Sequence, residues 1–129
     1  MGLAATQLFN TIPEKDICGL YDKCGVNFKK VIEIINFKNE DVSTATDLPK
    51  TSVRFDAKMP NELKERLTEW AIAINLVATY FKDVTKTIVW LRTPNPMLGG
   101  ISPRDMIRLG RFKKLMKYIQ SAINENIKA

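Results

Sequence analysis

The sequence predicts an all-α protein, and three observations carry that prediction. Apolar residues recur three and four positions apart through most of the chain, the period of one helix face. The segments open at residues that cap helix N-termini and close at glycine or proline. No run alternates apolar and polar residues with the two-residue period of a half-buried strand. The architecture this implies is an N-terminal helical bundle resembling a helix-turn-helix unit, continuous with a C-terminal helical domain. We place the boundary between residues 1–58 and 59–129.

The elements follow in order. Thr11-Ile12-Pro13-Glu14 reads as a capping box, with Ile17, Leu20, Tyr21 and Cys24 at helical spacing behind it and Gly25 as the stop. Gly19 inside this element costs about 1 kcal/mol relative to alanine, so packing must hold it. A second helix is predicted from Asn27 to Asn36, burying Phe28, Val31, Ile32 and Ile35. The short segment Asn39–Asp47, a turn at Leu48-Pro49 and a further short helix Lys50–Phe55 have the layout of a helix-turn-helix unit. Val42, Ala45, Leu48 and Val53 form its inward set. Lys50, Thr51, Ser52 and Arg54 are then the candidates for contact with phosphates and base edges of operator DNA. Asp47 stands where many such units carry glycine, and Glu40 and Asp41 nearby repel phosphate. On these residues alone, two short surface helices fit as well as DNA binding.

The longest helix opens at Met59-Pro60-Asn61-Glu62 and reaches Lys82. Leu63, Leu67, Trp70, Ile74, Val77 and Phe81 make one apolar seam along it, and Ile72, Leu76 and Tyr80 a second on the other side. A helix apolar on two faces is covered on both. It is either the central helix of the monomer or part of a homodimer interface, and the expectation is the first with some of the second. Asp83 caps a helix from Val84 to Arg92. The final helix, after Gly110, sets Phe112, Leu115, Met116, Ile119, Ala122 and Ile123 on one side and Lys113, Lys117, Gln120 and Asn124 on the other.

Composition excludes several classes of function. The chain has 129 residues, of which 45% are hydrophobic and 26% charged, values ordinary for a globular domain. It has no histidine, and Cys18 and Cys24 have the spacing of neither a local disulfide nor a zinc site. Two unpaired cysteines suit a reducing cytoplasm. The start MGLAAT lacks the basic and apolar regions of a signal peptide, and no apolar run approaches the length of a membrane span. No phosphate-binding glycine loop or nucleophile elbow is present, so the expectation is a non-enzyme without cofactor or metal. Charge is unevenly placed: residues 1–85 hold 11 Lys/Arg against 12 Asp/Glu, and residues 86–129 hold 9 against 2. That excess points to an acidic partner for the C-terminal third, either a protein surface or a phosphate backbone.

One stretch is too particular to be explained by folding alone. In WLRTPNPMLGGISPRDMIRLG, residues 90–110, the prolines end a helix, Gly99-Gly100 permits positive φ and close approach of neighbouring segments, and Ser102-Pro103-Arg104-Asp105 starts a new helix with Ser102 as N-cap. The wording WLRTPNP-x-LGG-x-SP resembles the signature of the C-terminal toxin-binding domain of Xre/MbcA/ParS-type antitoxins. Trp90, Leu91, Pro94, Asn95, Leu98, Gly99, Gly100, Ser102 and Pro103 carry the match, and a looser likeness runs from Asn39 to Ile123.

The resemblance implies a bacterial antitoxin that neutralises a RES-domain, NAD-consuming toxin by direct binding, and that autoregulates its operon through an N-terminal helix-turn-helix. A stand-alone DNA-binding regulator without a toxin is the alternative. The segment Glu125–Ala129 departs from the glycine-and-aromatic ending common in that family, so no role carries over to it. Within the loop, Trp90, Pro94, Leu98, Gly99, Gly100, Ser102 and Pro103 are expected to be structural. By polarity and position, Arg92, Asn95, Arg104, Arg108 and Lys117 are the candidates for toxin contact. If the boundary at 58/59 holds, residues 59–129 bind the toxin alone.

Overall fold

A computed structural model describes residues 15–128, with side chains through Glu125. The capping box at Thr11–Glu14 lies outside the described residues. The all-α prediction is met: among the described residues, six helices carry the fold and the only sheet is a hairpin of two two-residue strands.

That hairpin replaces the first predicted helix. Strands β1 (Tyr21–Asp22) and β2 (Gly25–Val26) pair antiparallel, Tyr21 opposite Val26. The Asp16 carboxylate accepts hydrogen bonds from the backbone N–H groups of Leu20 and Tyr21, at 2.7 and 2.9 Å. Asp22 Oδ1 accepts one from Cys24 N at 2.9 Å. Short acidic side chains that take up nearby N–H groups compete with a helix for the same donors. Gly19, at φ +69°, completes the turn. The spacing of Ile17, Leu20, Tyr21 and Cys24 is thus helical by coincidence. Cys18 and Leu20 reach the core, while Cys24 is exposed, and both cysteines are free thiols. Burial first, and then the Asp16 charge, push the Tyr21 phenol up to about 12, so it stays a neutral group against the core.

The next helix, α1 (Phe28–Ile35), is bounded by the predicted residues. Asn27 Oδ1 accepts from Lys30 N, and Asn36 closes the helix in the left-handed conformation at φ +54°. Val31, Ile34 and Ile35 are buried, and Phe28 and Ile32 pack at the edge of the core. Helix α2 (Asn39–Thr46) begins with Lys38 N donating to Asp41 Oδ2 at 2.8 Å. It ends at Asp47, whose φ of +60° is the conformation glycine prefers.

Val42 and Val53 are buried, and Ala45 and Leu48 pack against the core, as the inward set requires. The predicted helix 50–55, however, is a single 3-10 turn over Lys50–Ser52. Thr51, Ser52 and Val53 are weak helix formers, and the β-branched pair is stiff at χ1. The chain then turns through residues 53–60, with Val53 and Met59 buried as anchors.

Helix α3 (Asn61–Phe81) is the axis of the fold. Leu63, Leu67, Trp70, Ile74 and Val77 are buried along the first seam, and the Trp70 indole meets Phe37 edge-on at 5.7 Å. The second stripe is less covered than predicted. Ile72 and Leu76 are half-buried, and Tyr80 is 47% exposed. Helix α4 (Val84–Arg92) starts at Asp83, whose Oδ1 accepts from Lys86 N at 2.8 Å. Helix α5 (Pro103–Arg108) and helix α6 (Phe112–Lys128) complete the chain.

Contacts between helices fix where the core sits. Helix α3 packs against α1, α4 and α6, helix α5 lies between α2, α4 and α6, and α1 also meets α4. One apolar cluster runs from Cys18 through Val42 and Trp70 to Ile119. The boundary at residues 58/59 therefore falls inside a shared core. Among the described residues, no helix is long and apolar enough to cross a membrane.

Candidate functional site

The loop between α4 and α5 is built around Asn95. Its side-chain Oδ1 accepts from Met97 N at 2.9 Å, capping a 3-10 turn over Pro96–Leu98. Its carbonyl accepts from Leu98 N and Gly100 N, at 2.9 and 3.0 Å. Its own N–H donates to Ile101 O at 3.0 Å, which pins the end of the loop to its beginning. Asn95 was expected as a contact residue, and the structure makes it the hub that shapes the loop.

Gly99 and Gly100 have φ of +78° and +85°. A Cβ built at either would meet nothing within 4 Å, so these positions favour glycine for its backbone angles, and the expected close approach is not seen. Ser102, Pro103 and Asp105 start α5 as predicted: Ser102 Oγ accepts from Asp105 N at 3.1 Å, and Ser102 and Pro103 are buried. Pro94 is exposed at the turn out of α4, and Leu98 packs at the core edge.

The two arginines that flank this loop point back at the N-terminal half. Arg92 Nη2 donates to the carbonyls of Glu33 and Ile34, at 3.3 and 2.9 Å. Arg104 donates from Nε to Ile35 O at 2.8 Å and from Nη2 to Asn36 O at 3.1 Å. The Arg104 guanidinium also lies over the Phe37 ring, 5.7 Å from its centre. Four successive carbonyls at the end of α1, the negative pole of its dipole, are thus met by two cations from the loop. Arg108 is paired with Asp105 at 3.3 Å. Of the five predicted contact residues, Lys117 alone is exposed without a partner among the described residues.

Comparison with known proteins falls on the same region. Residues 76–119 match the family model described as the antitoxin Xre/MbcA/ParS C-terminal toxin-binding domain. That match spans about a third of the chain. A chain in the crystal structure of the M. tuberculosis MbcT–MbcA toxin–antitoxin complex is 24% identical to this one. That likeness covers 73% of this chain and 87% of that chain, with a TM-score of 0.45. No curated protein matches the chain.

In and around the matched region lie two surface features beyond the loop. The first is an apolar groove of about 170 Å³ where the end of α3, helix α4 and helix α6 meet, with Tyr80, Phe81, Trp90 and Tyr118 in its walls. Trp90 was expected as a core anchor; it is half-buried, packed on the core at one edge and open to this groove at the other. Sequence reading missed Tyr118 altogether. Its spacing of four from Ala122, on a helix, is the signal that places both on one face.

The second feature is basic. Arg111, Lys113, Lys114 and Lys117 are exposed, and no carboxylate among the described residues pairs with any of them. Three of them border an open cleft of about 700 Å³ between the end of α2, helix α3 and the start of α6. On the exposed side of α6, Lys113, Lys117, Gln120 and Asn124 form a stripe free of acidic groups.

The predicted DNA contacts are placed differently. Lys50 is exposed but lies 3.6 Å from Glu40. Arg54 grips Asp56 with both arms of its guanidinium, and that hydrogen bonding holds the Asp56 carboxyl below its usual range. Thr51 is exposed and Ser52 half-buried on the 3-10 turn. A turn of three residues supplies no helix to lie in a major groove.

Proposed function

We propose that this protein is the antitoxin of a bacterial toxin–antitoxin pair, acting stoichiometrically by binding a RES-type, NAD-consuming toxin and covering its active site. The observation that carries the reading is the match of residues 76–119 to the toxin-binding domain. The loop geometry supports it. Asn95, the two glycines and the Ser102 cap hold residues 93–103 in one shape, so little conformational entropy is lost when a partner closes over it.

The test is made in cells that express the reading frame adjacent to this gene. Expression of that frame alone should lower cellular NAD and stop growth, and co-expression of this chain should restore both. Unrestored growth with the antitoxin soluble and folded removes the reading.

Operon autoregulation through DNA completes the proposal, and the charge placement favours α6 as its contact. Lys113 and Lys117 are available to phosphate, whereas Lys50 and Arg54 are already engaged with carboxylates. Lys113→Glu with Lys117→Glu should therefore abolish operator binding. Milder neutralisation of each should flatten the log–log salt dependence by about 0.9 per lost phosphate contact. Lys50→Glu with Arg54→Glu should change binding less. The reverse order of effects returns DNA contact to residues 50–54. A homodimer joined through the half-covered Ile72–Leu76 stripe fits the same scheme.

A further inference from the structure

We infer that the groove walled by Tyr80, Phe81, Trp90 and Tyr118 is the anchoring pocket for an apolar side chain of the toxin. This inference rests on the antitoxin reading and says which part of the surface grips the partner.

Three observations carry it. The four aromatic walls of the groove all lie within residues 76–119, the stretch that matches the toxin-binding-domain model. The size of the groove, about 170 Å³, accommodates one large aliphatic or aromatic side chain, with Ile119 and Ile123 of α6 also in its lining. Tyr80, a large aromatic side chain lining the groove, is 47% exposed.

The chemistry of the walls is that of an interface. Tyrosine and tryptophan pair a large apolar body with a polar tip, and such residues dominate binding energy at the centre of protein interfaces. The Tyr80 and Tyr118 hydroxyls and the Trp90 ring N–H have no hydrogen-bond partner among the described residues, so all three remain to orient a docked segment. Lys82 and Lys86 stand exposed beside Phe81 and one turn before Trp90. The fitting partner is therefore an apolar side chain flanked by acidic residues on the toxin surface.

The experiment measures binding of the purified product of the adjacent reading frame by isothermal titration. Tyr80→Asp should weaken binding by roughly tenfold or more, as loss of an aromatic interface side chain does. Leu109→Asp, an equally exposed apolar site outside the groove, should leave affinity unchanged. If Tyr80→Asp alters the circular dichroism spectrum, Ala122→Met serves instead, since it fills the groove without adding charge.

Wild-type affinity in the folded groove variant overturns the inference. A variant that binds normally but no longer self-associates also overturns it, assigning the groove to a second copy of the chain. Failure of the unmodified chain to bind removes the antitoxin reading and this inference with it.

Discussion

Replacing Arg92 and Arg104 together by alanine is expected to destabilise the protein by about 3 kcal/mol, on the order of 10 °C in Tm. Each guanidinium donates two hydrogen bonds to carbonyls at the end of α1. Hydrogen bonds from a charged group contribute about 1.5–3 kcal/mol when buried, and the exposure of Arg92 reduces its share. Arg104→Lys should recover little of the loss. A lysine is a point donor that cannot bridge two carbonyls or stack its plane on Phe37. Thermal or denaturant unfolding of the single and double variants measures this directly. Arg104→Glu would set a carboxylate against the carbonyl oxygens of Ile35 and Asn36, so it tests folding before it tests a toxin contact.

The second large effect concerns truncation. Residues 59–129 expressed alone should fail to fold cooperatively and should not rescue cells from the toxin. The first half contributes Val31, Ile34, Ile35, Phe37 and Val42 to the core, and Phe37 packs on Trp70. Burial of each such side chain contributes about 1.5–3 kcal/mol, so losing five removes a sum comparable to the whole stability of a typical domain. A circular dichroism melt of the fragment decides the matter. A cooperative transition near that of the full chain would show that the two halves are separable after all.

How far the sequence could be read depended on the range of the interactions. Local grammar was legible. The caps at Asp83 and Ser102, the bounds of α1 and the seam from Leu63 to Val77 follow from neighbours within one helical turn. The loop wording at residues 90–103 also falls within the stretch that the family model matches.

Long-range partners were not legible. Arg92 and Arg104 look like free surface cations in one dimension, and only the fold brings them to carbonyls 58 to 69 positions earlier in the chain. The first predicted helix failed for a local reason that spacing hides: Asp16 and Asp22 capture the backbone donors a helix needs. The aromatic groove draws its walls from three helices, and no single apolar stripe announces it.

The central claim is that the toxin is held by the loop and groove of the C-terminal domain. Amide hydrogen exchange of the full chain, with and without the product of the adjacent reading frame, tests it most directly. The account predicts slowed exchange on binding at the end of α3, in α4, through the loop at residues 93–102 and in α6 around Tyr118, with α2 and the turn at residues 50–52 unchanged. Protection confined to α2 and residues 50–54, with the loop and groove exchanging as in the free protein, would contradict it.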